Sequence, residues 1–370
     1  MKAQDSDNPY IVLRRVFVDF AFTSHMIIYT KITFVFHFLT LLLETYYMIT
    51  NFNVELFSRY GCMMCLMTYI VLAKLLEILF ARHIKFLEEE RLSHFWKLEE
   101  SSEETQKVVN AESSKIRKKT FFVLSWFVAL GFVLFPIFGD LNDLFMFGRV
   151  YRNYFGSWAI IPFCIYVSTF PSIAYNSICL PAVVSYFIFH LNLQISLIND
   201  KLGKISEKSR QSEIYQKLCS CVAHHVRLRR WTNIFQNELE SALPFYLFLG
   251  AINSIAVSFF ILYNLQNMTL IFEIRLVVIS VCNVLILWIF AEAGQEFSDN
   301  SDSIFDAVVA CPWYSWNAQN RKIMLIFMLN CLKPMTFSWG GVKLDYQFTV
   351  TIVKMSYSYA LVLYNWRYEK

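Results

Sequence analysis

The chain has 370 residues, 56% of them apolar and only 17% charged, with 36 Phe and 20 Tyr. A water-soluble domain carries about a quarter charged residues, so the deficit argues for a membrane protein. The net charge of +4 is too small and too dispersed for nucleic acid, and ten glycines form no GxGxxG or GxxxxGK[ST] phosphate cradle, so no cofactor is expected.

Residues 1–27 mix Lys2, Asp5, Asp7, Arg14, Arg15 and Asp19 with short apolar runs. They lack the apolar core and small-residue cleavage site of a signal peptide, so the first apolar span is expected to direct insertion. Seven spans are long and apolar enough to cross roughly 30 Å of hydrocarbon. They lie at 28–50, 60–80, 120–138, 172–195, 243–263, 270–293 and 346–366.

Orientation follows from Lys and Arg. Twenty-four fall in the N-terminus and in segments 82–119, 201–230 and 321–343, against five on the opposite side. The fold expected is an all-α membrane protein of seven transmembrane helices with a cytosolic N-terminus and an extracellular C-terminus. The sequon Asn267-Met268-Thr269 falls in the short outer loop between spans five and six, making Asn267 the glycosylation candidate.

Residues 82–119 and 194–240 carry apolar side chains at helical spacing, among them Leu87, Leu92, Leu197, Leu202, Leu218 and Val226. They read as helices running past the bilayer with a narrow stripe to bury. The outer segment 139–171 holds Trp158 to Phe163; a lid over a pocket and an interfacial aromatic belt fit it equally. Only Cys164 among nine cysteines lies in an outer loop, so no obligatory disulfide is expected. Cys62 and Cys65 read as buried thiols rather than a metal site.

Charges within spans are weighed singly. Lys31 can snorkel. Lys74 and Glu77 share a helical face and are expected to pair. Glu44, Glu273 and Arg275 lie near the outer rim, within reach of water. Lys354 lies about 12 Å into the last span, facing either a wet vestibule or a carboxylate. No GxSxG, HExxH or paired CxxC occurs, and His224-His225 is adjacent, so its rings diverge; no enzyme or metal site is expected.

The end of the chain is the most informative stretch. An apolar helix, 322–332, stops at Lys333-Pro334; Gly340-Gly341 follows, then a hydroxyl-studded span. Thr349, Val353, Ser356, Ala360, Leu363, Tyr364 and Arg367 share one helical face, wet and small in the middle and apolar outward. Several copies around an axis would make a conduit with a constriction near Leu363 and Tyr364. An ordinary packing interface is the plainer alternative.

That order resembles the end of insect odorant receptors. The stretch Gly294–Ser298, the run from Ser303 to Trp313-Tyr314, then Arg321-Lys322, Lys333-Pro334, Gly340-Gly341, Phe348, Thr349 and Lys354–Tyr359 follow in the family's sequence. Leu218–His225 and Trp158–Phe163 are similar to its second cytosolic segment and second outer loop.

The resemblance implies an odorant-gated, non-selective cation channel in the plasma membrane of olfactory sensory neurons. Four subunits would surround one pore, tuning subunits assembling with the shared co-receptor, Orco. The seventh helix would be split into a cytosolic anchor half and a pore-lining half. The chain would divide into 1–27 (cytosolic), 28–318 (six helices with the ligand pocket), 319–335 (anchor) and 336–370 (pore half and tail). Ser356, Ala360, Leu363 and Tyr364 would stand at the pore and gate. A small volatile would sit in the outer half of the bundle against Tyr60, Met63, Met64, Met67, Val128, Gly131, Phe132, Phe135, Tyr175, Cys179, Cys282 and Asn283. The connection between spans four and five is shorter than the co-receptor's, implying a tuning subunit. A G-protein-coupled receptor would need DRY and NPxxY strings and the opposite charge distribution. A gustatory-type receptor would carry a signature that Tyr346-Gln347-Phe348 matches only faintly. A transporter would show two related halves, and no internal repeat is visible.

Overall fold

The computed structural model describes residues 8–138, 141–142, 144–206, 209–240, 243–264, 269–339 and 341–368. Asn267 and Gly340 lie outside them. The chain opens with a turn of helix, α1 (Ile11–Leu13), that runs on as a π-helical stretch, Arg14–Phe20. Long helices follow: α2 (Ser24–Thr50), α3 (Val54–His94) and α4 (Glu103–Val133). After a crossing segment built of α5 (Phe147–Phe155) and α6 (Ile160–Ser168) come α7 (Phe170–Gly203), α8 (Gln211–Glu240), α9 (Leu243–Asn264) and α10 (Leu270–Val309). The last are α11 (Ala318–Cys331) and α12 (Tyr346–Tyr368), joined through a ribbon of two-residue strands, β1 (Ser338–Trp339) and β2 (Val342–Lys343).

Each of the seven expected spans is a helix. Five of them, α2, α3, α7, α9 and α10, are long and apolar enough to cross a bilayer. α4 and α12 carry the third and seventh and are more polar. α3 has 41 residues and α10 has 40, about 60 Å each, twice the hydrocarbon thickness. The helical extensions expected in 82–119 and 194–240 are present, as continuations of α3 and α7, the first turns of α4, and α8, and α10 runs on past its span as well.

α7 is the most enclosed of the apolar helices and packs against α10, α4 and α3. α12 lies along α9, and α11 along α8 and α10. α2 packs on α3 yet leaves Ile32, Val35, Leu39 and Leu42 exposed, a face that only lipid satisfies. The N-terminal turn is drawn into the bundle: Phe17 is buried and stacks on Tyr175, and Arg14 reaches Glu88 at 3.4 Å.

Local chemistry fixes the joints. Pro136 opens a single 3-10 turn, so α4 stops at Val133 rather than running to 138. Asp200 at the end of α7 grips the start of α4: its carboxylate accepts from the hydroxyls of Ser102 and Thr105, the amide of Ser102, and Lys204. Partial burial would raise its pKa, but these donors outweigh burial and hold it at about 2. Beside it, Trp96 is sandwiched between the Lys201 ammonium, 3.4 Å from the ring centre, and the His224 ring, stacked at 3.7 Å. Gly341 turns the ribbon with φ +80°. Gly294 on α10 lies where the link into α12 crosses; a Cβ there would stand 2.1 Å from the Leu344 carbonyl oxygen.

The segment 139–171 is largely helical. α5 and α6 fold back over α2, and Phe147, Tyr166 and Phe170 stack beneath them while Trp158 and Ile160 stay exposed.

Four charges differ from expectation. Arg275 is buried rather than wet: its guanidinium donates to the carbonyls of Val133 (3.1 Å) and Phe135 (3.2 Å), filling the open end of α4. Glu44 is also buried, close to Tyr151 and Tyr166, because α5 and α6 cover α2. Lys74 and Glu77 do not pair with each other. Lys74 donates to Thr33 (2.9 Å) and to His37 Nδ1 (3.1 Å), His37 Nε2 meets Thr169 at 2.8 Å, and Glu77 accepts from Asn176. α2 and α7 supply nearer partners than the next turn of α3 does.

Candidate ligand cavity and pore helix

A narrow cavity with a free volume of about 30 Å³ sits among α3, α4, α7, α9 and α10, in the half of the bundle towards α5. Its wall is apolar and sulfur-bearing: Leu66, Met67 and Ile70 from α3, Phe127 and Leu130 from α4, Phe170 and Ile173 from α7, Ile279, Cys282 and Ile286 from α10. Among the described residues that line it, none is charged. Polar atoms come from Tyr69, Ser177, Asn253 and Asn283. Tyr69 is spent on Tyr246, which also donates to the Ser177 carbonyl, and the Ser177 hydroxyl donates to the carbonyl of Ala174. Asn253 differs: it is buried, and its Oδ1 has no partner among the described residues. A buried amide oxygen without a donor costs about 1–3 kcal/mol, which a ligand hydroxyl or amine would recover. The chemistry of this lining suits a compact, uncharged, mainly apolar guest with one hydrogen-bond donor.

The residues expected to line one pocket are distributed over several places. Met67, Cys282 and Asn283 line this cavity. Val128, Gly131, Phe132 and Tyr175 line a separate cleft with a free volume of about 250 Å³ on the side of the bundle, where Val128 and Phe132 are more than half exposed. Phe127 is the wall common to both. Tyr60 and Met64 instead pack with Tyr47, Met146 and Val150 below α5, and the Tyr60 hydroxyl donates to the Asn142 carbonyl at 2.6 Å. Met63 is buried in the main core, and Cys179 faces the Phe17 carbonyl. Phe135 lies past the end of α4 and meets Phe170 edge-on, behind the wall. Helical phase decides which of the residues expected from α3, α4, α7 and α10 turn towards this cavity. Asn253 was missed, although a lone Asn amid the apolar run of α9 was the available signal.

The last helix is split as expected. α11 buries Asn320, Met324, Phe327 and Cys331, and exposes Leu325, Leu329 and Leu332 along another stripe. On α12 the expected water-facing stripe divides. Ser356 and Ala360 are buried on the side towards the subunit's own helices, and Thr349 donates to the Leu287 carbonyl of α10. Neither Ser356 nor Ala360 meets water in this arrangement, because α12 lies with that face inward. Leu363 is exposed and Tyr364 is half-buried; the side chain of Arg367 lies outside the described residues. The open face carries Val350, Val353, Tyr357 and Leu361, with Lys354 also exposed and unpaired among the described residues.

Comparisons agree with this architecture. The family model described as 7tm Odorant receptor matches residues 48–357. Odorant receptor 46a, isoform B, of Drosophila melanogaster is 24% identical over 217 residues, covering 56% of this chain and 53% of that protein. The match thus spans about half the length of that relative. The solved structure of olfactory receptor OR5 from Machilis hrabei in complex with eugenol superposes with a TM-score of 0.67 at 11% identity, covering 92% of this chain and 90% of that one. The structure of the same receptor described without eugenol gives 0.62 at 12% identity, over 92% and 89%. At these identities the two structures speak for the fold.

Proposed function

This chain belongs to the 7tm odorant receptor family, a family of membrane receptors and not of enzymes, and from that premise we propose that it is the odorant-binding, tuning subunit of a ligand-gated cation channel. The observation that carries the ligand half is the uncharged cavity with the unpartnered Asn253 Oδ1. Its contents would be a small volatile held by shape and dispersion, with one hydrogen bond to that oxygen. Met67, Cys282 and Asn283 are the lining residues shared with the sequence reading.

The channel half rests on the split last helix. The N-terminus is cytosolic, in accord with the excess of Lys and Arg on that side. The subunit assembles with the co-receptor Orco as a heterotetramer in the plasma membrane of olfactory sensory neurons. The apolar stripe of α11 joins subunits, and α12 turns its open face and Leu363 to a central path for cations. Ligand binding favours the open arrangement by binding it more tightly than the closed one.

Recording currents from cells that express this chain with Orco, against a panel of volatiles, tests the reading. Asn253→Val should raise the half-maximal concentration of a hydroxyl-bearing agonist without altering ion selectivity. Leu363→Ala should change conductance or selectivity more than potency. Cysteines at Val353 or Tyr357 should react with a bath-applied thiol reagent while current flows, and one at Ser356 should not. Permeation untouched by Leu363→Ala, together with unreactive cysteines on the open face, would remove α12 from the conduit.

A further inference from the structure

A second cavity, with a free volume of about 50 Å³, lies further along the same helices, towards the α8 end. On α10 its lining residues are 288–296, against 279–286 for the first cavity, so the two are roughly 14 Å apart along the axis. Its walls are largely apolar, with Phe17, Val123, Ile178, Phe189 and Trp288 among them.

The polar groups in it are out of balance. Glu292 and Glu296 lie one turn apart on α10, and the cavity's lone lysine, Lys119, is committed to Glu292 while lying 5.6 Å from the centre of the Trp288 ring. Glu296 Oε2 is buried and has no hydrogen-bond partner among the described residues. Across the cavity Ser185 of α7 is 2% exposed, and its Oγ also has no partner. Burial, with Glu292, Glu112 and Asp299 nearby, pushes the Glu296 carboxyl up to about 7 against the pull of Lys119. The site is short of one positive charge and one set of donors, and its apolar walls suit an organic body rather than a bare metal ion.

We infer that this cavity binds an organic ammonium group carrying a compact apolar body, its N–H groups donating to Glu296 Oε2 and Ser185 Oγ and its body lying against Phe189 and Trp288. This site is independent of the odorant cavity and of whether the protein conducts. The ammonium can come from a free amine or from the headgroup of an aminophospholipid.

The test uses the full chain in nanodiscs of pure phosphatidylcholine, with binding followed by calorimetry. 2-Phenylethylamine should bind saturably, and 2-phenylethanol, its neutral counterpart, about tenfold more weakly, as expected for loss of a charge-assisted contact. Glu296→Gln should cost the amine about tenfold and leave the alcohol unaffected; Ser185→Ala should weaken the amine; Met67→Ala, in the other cavity, should change neither. Competition by phosphatidylethanolamine in the nanodisc would support the site and identify its source as lipid, whereas unaffected amine affinity would support a free amine. Equal affinity for amine and alcohol, or amine binding indifferent to Glu296→Gln, would overturn the inference. Should Glu296→Gln fail to fold, Ser185→Ala decides in the same way.

Discussion

Asn253 occupies the middle of an apolar helix and lines the cavity, and its side-chain oxygen has no donor among the described residues. Replacing it by Val removes an unsatisfied oxygen, so the empty protein should gain stability while a hydroxyl-bearing ligand loses about 1–2 kcal/mol, roughly five- to thirtyfold in affinity. A thermal-shift titration measures both halves; equal loss for a ligand without a donor would sink the assignment. Gly294 presents the opposite case, a position where any side chain collides. Its added Cβ would meet the backbone oxygen of Leu344, which has no rotamer to yield. Gly294→Ala should lower stability by about 1–3 kcal/mol, seen as a depressed Tm and poor surface expression. Residue identity alone carried little of this. That Arg275 caps α4 and Glu44 lies under α5 depends on which loops fold back, and no local pattern encodes that.

Among the elements, the joint where α3, α7 and α8 meet is tied by ionisable groups outside the spans. Burial, reinforced by Arg227, Lys201 and His225, holds His224 at about 3, and burial with Arg229 holds His225 at about 4, both below the ordinary 6.5. Above pH 6.5 both rings are neutral in folded and unfolded chains alike. Below it the unfolded chain takes up protons that the folded one refuses, so stability should fall from about pH 6.5 towards 4. Asp200 acts in a different window: its contribution is whole above 3.8 and is lost as pH falls through about 2. A double His224→Gln, His225→Gln variant should therefore flatten the dependence of Tm on pH between 6.5 and 4.5; an unchanged slope would place the titration elsewhere. The helices themselves were legible because apolar runs with few charges impose them, and the break before α12 because Pro334 and Gly341 cannot continue a helix. What stayed hidden was phase. Thr349, Ser356 and Ala360 do share a face, as the periodicity implies, yet that face is turned inward; a period cannot say which neighbour it meets.

For the molecule as a whole, the exposed leucines of α11 are the clearest sign of an absent neighbour. Leu325, Leu329 and Leu332 fall at i, i+4 and i+7, outside the apolar spans, where no lipid covers them. If the proposed assembly forms through this stripe, Leu329→Asp should leave the subunit folded and stop that assembly, read as a loss of the higher-mass band on native gels with Tm preserved. An intact tetramer would mean that subunits meet elsewhere.

The cavity and the last helix are mechanically close. Ile286 lines the cavity, and the next residue, Leu287, offers the carbonyl on which Thr349 rests at 3.3 Å. Two turns on, the backbone of α10 at Gly294 is pressed against Leu344, immediately before α12 begins. Under the proposed function, a guest that moved α10 by a fraction of an ångström would shift the footing of its neighbour through the Thr349 hydroxyl and the Leu344 carbonyl. The rod that walls the cavity is also the bearing on which the last helix rests.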